Sequence, residues 1–508
     1  MQRRHDATAL AVFVPLLLTA APAAAAQEKE REKDQHADQE PEHDPAAQLV
    51  EYDRSRFRGD PAYDETWDAA QQQDIYGGKS PVNTQRPLLE LGRELYREGP
   101  FQPGRSFLFG ETNLVYPHLM VYGDWRTAAG YNAALDPDGE QFGQLGTRLN
   151  LDIDLKLTAT ERIHAFLQPF ERNGDVTRYE FGERDEHEFN LDGNLDALFF
   201  EGDGGALARG SDGTVSDFDL PFAVGLIPLL FQNGVWVEDA FTGFAFTLPA
   251  RNSKSLGISN YDVTFFAGFD KVDSGSLLAE GSDDSDATLF GVTSFLDALA
   301  GYFEVGYGYA FGEDATDGDD AHNLTMAFTR RYGDWLSNSV RTIFNFGDGT
   351  DGGALVLLEN SMITSSPYSR VPYLNLFAGL DRPQSLARAA GAGGVLKNTG
   401  INFEADTITA FPSLDATGHD AFGAAAGVEF LMGFDDPDPA LRSQLVLEVA
   451  GQHPHGSDAS AQGDEFALGA RWQKPLSNRF IVRADATVGT LEDGDDYAAV
   501  RLEFRWKF

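Results

Sequence analysis

The last thirteen residues, Asp496 to Phe508, constrain the fold more than any other stretch. Ala498, Val500, Leu502, Phe504, Trp506 and Phe508 alternate without a break with Arg501, Glu503, Arg505 and Lys507. A period of two belongs to a β-strand, whose successive side chains point to opposite faces. One face of this strand requires an apolar medium and the other requires water. The pattern predicts a strand that separates oil from an aqueous space.

The alternation recurs upstream. Leu149, Leu151, Ile153, Leu155 and Leu157 share one face, and Arg148, Asn150, Asp152, Asp154 and Lys156 share the other. Five charged or amide groups on one face exclude a sandwich strand covered on both sides, because buried polar groups without partners are costly. Weaker copies appear at Tyr261–Phe269, Phe303–Phe311, Phe422–Met432, Phe466–Trp472 and Phe480–Val488. Together they predict sixteen to eighteen strands, eighteen in the best parse, running from 125–132 to 496–508. Val115 to Val121 reads as either a further strand or a lead-in, and 201–218 is long for a turn.

Nothing after residue 26 approaches the ~18–20 apolar residues of a membrane helix. Mean hydropathy is below zero, which a barrel tolerates because only alternate residues of each strand face lipid. The expected fold is all-β: a transmembrane antiparallel up-and-down barrel over 113–508. Residues 1–26 read as a signal peptide: Arg3 and Arg4, an apolar core from Ala9 to Leu18, then Ala24-Ala25-Ala26. Residues 27–112 read as a charged, irregular periplasmic extension. Within it, Leu88, Leu91 and Leu95 behind Pro87 predict one short helix over 87–98.

The chain contains no cysteine, so disulfides and thiol chemistry are excluded. A formal net charge of −41 repels nucleic acid and attracts cations. Acidic Asp/Gly loops, of which DPDGE at 136–140 and ATDGDD at 315–320 come nearest to a calcium loop, read as solvated loops. They could also hold divalent ions. No cofactor motif and no metal ligand set is legible.

The terminal Phe508, preceded by Trp506 and Phe504, resembles the closing strand of Gram-negative outer-membrane β-barrel proteins of the general porin type. That resemblance implies that these three residues form the signal read by the barrel assembly machinery. It also implies outer-membrane lipid and lipopolysaccharide as surroundings, small polar solutes as cargo, and a homotrimer as one possible state. In porins a long loop commonly folds inward, which makes 381–419 a constriction; an exposed lid or an idle surface loop remain alternatives.

By alternation the inward, pore-lining candidates are Arg148, Asp152, Asp154, Lys156 and His164 on early strands. On later strands they are Arg341, Arg471, Arg483, Asp485, Arg501, Glu503 and Arg505. Arg471, Arg483 and Arg501 fall on consecutive strands and suggest a basic ladder. The structural alternative is that they pair with Asp485 and Glu503 across strands. The expected function is passive diffusion of small polar or ionic solutes, without catalysis. A plugged barrel that binds at the surface or exports, and a rim hydrolase using His453, His455 and Ser457, are the competing readings.

Overall fold

The computed structural model describes residues 87–92 and 118–508. Short stretches at 137–138, 159, 173, 213–217, 276, 278–286, 313–319, 349, 351, 365–368 and 434–441 are excepted. Eighteen antiparallel strands form the wall. The first six are β1 (His118–Ala134), β2 (Gln141–Lys156), β3 (Arg162–Leu167), β4 (Leu195–Asp203), β5 (Pro221–Phe231) and β6 (Val237–Ser253). The next six are β7 (Ile258–Asp270), β8 (Ala287–Ala298), β9 (Gly301–Gly312), β10 (Asp320–Tyr332), β11 (Leu336–Phe346) and β12 (Gly353–Met362). The wall ends with β13 (Arg370–Asp381), β14 (Ala421–Met432), β15 (Ser443–Pro454), β16 (Glu465–Pro475), β17 (Phe480–Leu491) and β18 (Tyr497–Lys507). Each pairs with its neighbours in sequence, and β1 pairs with β18 from Asp124↔Lys507 to Ala134↔Tyr497. The barrel is closed, which leaves no open sheet edge to face lipid.

The faces separate as the alternation predicts. On β18, Val500, Leu502 and Phe504 are exposed outward, whereas Arg501 and Glu503 are 4% and 1% exposed inside. The outward Trp125 donates its indole N–H to the Thr147 hydroxyl, 2.7 Å away, so an aromatic on the outer face leaves no polar atom unpaired. Phe508 departs from the expected outward anchor: it is buried, its ring packs on Trp506 at 5.1 Å, and its backbone exchanges hydrogen bonds with Gly123.

The helix expected over 87–98 is not what its described part forms. Leu89–Gly92 is a strand, paired antiparallel with the start of β1 from Leu89↔Val121 to Gly92↔His118. The reason lies at the seam. β18 ends at Lys507 and its pairing with β1 stops at Asp124, so the backbone groups of 118–121 need another partner. His118, buried, adds a 3.0 Å contact to Glu90. Residues 115–121, ambiguous in sequence, resolve in their described part as the opening of β1 itself. Residues 1–86, including the expected signal segment and charged tail, lie outside the described residues.

Connections at one end of the barrel are short, such as Leu299–Ala300 and 333–335. The exception is 204–220, which holds the helix α1 (Gly204–Asp212). Asp203 caps it, accepting from Ala206 N–H at 2.7 Å and, with its other oxygen, from Leu220 N–H at 2.9 Å, which ties both ends of the connection together. The opposite end carries the long connections, among them 168–194. There Asp175–Gly182 pairs with the upper half of β2 while β3 pairs with the lower half.

Candidate functional site

Residues 382–419 leave the wall at β13, enter the barrel and return at β14. Two bonds close the neck: Asp420 N–H donates to Asp381 O at 2.9 Å, and Asp381 N–H donates to the Asp420 carboxylate at 2.7 Å. A third donor, Asp458 N–H, reaches the same carboxylate at 3.2 Å. The chain first crosses to the far wall, where Ala387–Arg388 pairs in parallel with Val237–Glu238 of β6. Leu386 N–H donates to Trp236 O at 2.9 Å, and Ser385 Oγ donates to Val235 O at 2.8 Å. Arg388, whose guanidinium burial pulls below its ordinary range, donates to Gly393 O at 3.0 Å and Gly234 O at 2.5 Å.

Loop and wall then share a dry core. Val395, Leu396, Phe403 and Leu414 pack on Ile343, Leu355, Leu357, Phe377, Ala421, Ala425, Ala450 and Ala467, all facing inward from β11 to β16. The Phe403 and Phe377 rings meet edge to face at 5.6 Å. Wall residues here are apolar on the lumen side because the loop, not water, covers them. Glu448 on β15 anchors the crossing. Its carboxylate accepts from Ile401 N–H at 2.9 Å, Asn402 N–H at 2.9 Å and Asn402 Nδ2 at 2.8 Å, and it also bonds the Tyr373 hydroxyl.

The loop ends its crossing against the seam. Asn132 Nδ2 donates to Thr409 O and Gln144 Nε2 to Ile408 O, both at 2.9 Å, and Arg148 donates to the Thr407 hydroxyl at 2.7 Å. Glycine makes the approach possible: a Cβ on Gly146 would lie 2.1 Å from Ile408 O, and one on Gly308 would lie 2.2 Å from Leu386 Cδ2.

Arg471, Arg483 and Arg501 do lie side by side on β16, β17 and β18, and they converge on one carboxylate, Asp485. Arg471 Nε and Arg483 Nε donate to it at 2.7 Å each, and Arg501 Nη1 at 3.4 Å. Arg501 also bonds Glu503, which Arg505 reaches at 3.0 Å. Two further carboxylates come from the loop. Glu404 bridges Arg471 at 2.6 Å and Arg483 at 3.3 Å, and Asp406 lies 3.2 Å from Arg501. Neither stands out in the sequence, where Glu404 and Asp406 sit in the long connection 381–419, outside the strands read for the wall. Their partners are 67 and 79 residues away for Glu404, and no local pattern carries that pairing.

Most of the other inward candidates are also paired. Arg148 meets Glu171 at 2.6 Å, and burial pushes that carboxyl up although Arg148 opposes the shift. Arg162 contacts Asp154 at 3.1 Å and also pairs with Glu201. His164 lies 3.3 Å from Asp152, and Lys156 stands across from His118 and Arg162 in the sheet. Arg341 bonds Glu359 at 2.6 Å with Glu304 at 3.7 Å. Along β1 to β4 water access is partial: the side chains of Arg126 and Arg162 are 27% and 32% exposed, whereas His118, Asn132, Gln144 and Asp154 are buried.

The rim histidines bond to other groups. His453 bonds Asp464, and His455 Nε2 lies 2.8 Å from Gly379 O; Phe422 stacks on the His455 ring and lies tilted against that of His453. Among the described residues no hydrogen bond joins either histidine to a serine or threonine hydroxyl.

No family profile matches this chain, and no curated protein matches it. The solved structures it is similar to include three from Pseudomonas aeruginosa. OccK11 (OpdR) shares 10% identity, covering 77% of this chain and 96% of that one, with a TM-score of 0.49. OccK7 (OpdD) shares 12%, covering 77% and 98%, with a TM-score of 0.49. The outer membrane protein OpdK shares 14%, covering 76% and 98%, with a TM-score of 0.45.

Proposed function

We propose that the protein is an outer-membrane channel for passive diffusion of small polar or ionic solutes, constricted from within by residues 382–419. The observation that carries this reading is the lumen itself. Eighteen strands enclose a space wide enough for water, the loop fills the side lined by β11 to β16 with a dry core, and the side lined by β1 to β4 stays charged and partly open to water. A chain folded only to span lipid would not need so many charged groups facing inward. The short-turn end is read as periplasmic and the long-loop end as facing lipopolysaccharide, with the last strand presented to the assembly machinery.

Single-channel recording of the purified protein in a planar bilayer tests the proposal. A steady ohmic conductance is expected, larger in a chain lacking 383–418. A wild type that carries no current would favour the plugged barrel instead.

A further inference from the structure

The arginine cluster concentrates positive charge on one side of the lumen, and in a bare wall it would attract anions. In this chain it is covered. Four guanidiniums (Arg471, Arg483, Arg501, Arg505) face four carboxylates (Glu404, Asp406, Asp485, Glu503), so the group is formally neutral. The order of burial matters more than the balance. The side chain of Arg501 is 2% exposed and those of Arg471 and Arg483 are 13% exposed, whereas that of Glu404 is 37% exposed. A solute in the lumen meets the loop carboxylate before it meets any of these three arginines.

We propose that Glu404 and Asp406 act as tethered counterions that mask the arginine cluster, so that the channel selects cationic over anionic solutes. The inference rests on the channel reading above and names its solute class.

Two other groups in the lumen agree in sign, while Glu238 faces two cations, Arg388 and Lys397. Arg162 faces two carboxylates, Asp154 and Glu201, and Arg341 faces two, Glu359 and Glu304. With the cluster neutralised these pairs leave a surplus of negative charge, which lowers the energy of a cation in a narrow pore and raises that of an anion. Asp406 is itself held in place, accepting from Thr409 N–H at 3.0 Å and Ile408 N–H at 3.4 Å. Its carboxylate is therefore pre-positioned for Arg501.

Reversal potentials in a potassium chloride gradient test the proposal. The wild type is expected to favour potassium. The double variant E404Q/D406N uncovers two positive charges, and its potassium-to-chloride permeability ratio should fall severalfold, to below unity. Because the chain has no cysteine, E404C offers a control made after folding. An anionic thiosulfonate applied to the inserted channel should restore the wild-type ratio, and a cationic one should drive it further towards chloride. A wild type that prefers chloride, or a ratio unmoved by both the double variant and the E404C reagents, overturns the masking while leaving the channel reading intact. A wild type without conductance overturns the channel reading and this inference with it.

Discussion

Removing the Glu448 carboxylate should release the inserted loop without unfolding the barrel. In Glu448→Ala, three N–H donors lose their acceptor: Ile401 N, Asn402 N and Asn402 Nδ2, all now within 2.9 Å of a carboxylate oxygen. A buried donor left unsatisfied costs about 1–3 kcal/mol, so three at the low end amount to about 3 kcal/mol. The Tyr373 hydroxyl can turn elsewhere and is left out of the sum. The wall strands keep every ladder hydrogen bond, so the loss falls on loop docking as a local opening. Thr399→Cys reports it. Thr399 is fully buried and its hydroxyl has no hydrogen-bond partner, which makes the thiol a mild replacement in a chain without cysteine. Its maleimide labelling rate should rise roughly a hundredfold when Glu448→Ala is added, since each ~1.4 kcal/mol is a factor of ten. Heat-modifiable gel mobility should remain that of a folded barrel. If labelling does not accelerate while the barrel stays folded, Glu448 is not what holds the crossing and the reasoning fails.

Three other outcomes are expected. Gly146→Ala should loosen the loop's contact with the seam by about 1–3 kcal/mol, because the new Cβ would sit 2.1 Å from Ile408 O; single-channel noise should rise, and a silent trace would contradict the close approach. Phe504→Lys, placed on the outward face where Phe504 is exposed, should destabilise the barrel by up to ~2–4 kcal/mol at mid-bilayer depth, measured as a lower urea midpoint in vesicles; an unchanged midpoint would mean that residue does not meet lipid. Burial, followed by nearby Arg382, holds His419 below the ordinary histidine pKa of 6.5 against Asp415, Asp420 and Asp458. The docked loop thus binds fewer protons than the released one, so docking is unaffected well above pH 6.5 and weakens as pH falls below it. Labelling of Thr399→Cys should accelerate over that window and lose the acceleration in His419→Gln.

Much of the wall was legible because strand alternation is local. All eighteen wall strands overlap those expected from sequence, and the boundaries of the long connection, 381–419, match the chain's departure at Asp381 and return at Ala421 within two residues. The same locality misled at 87–98. Three leucines at helical spacing are an intrinsic preference, but the unpaired backbone at 118–121 draws Leu89–Gly92 into a strand. The over-long turn at 201–218 hid α1, whose sequence GGALARGSD carries three glycines and little apolar periodicity.

The sequence by itself determined which face of each strand meets lipid and which meets water, since that depends only on whether a residue's number is odd or even along the strand. It therefore placed Arg148, Asp152, Asp154, Lys156, His164, Arg341, Arg471, Arg483, Asp485, Arg501, Glu503 and Arg505 inside. What the inside is like was decided only by the tertiary structure. Whether Arg471, Arg483 and Arg501 form an open ladder or a covered one depends on Glu404 and Asp406, brought to them by a loop anchored at Glu448 and Glu238 on other strands. Charge acts through space over a few ångströms, whereas alternation acts along the chain, and only the folded loop brings the two scales together.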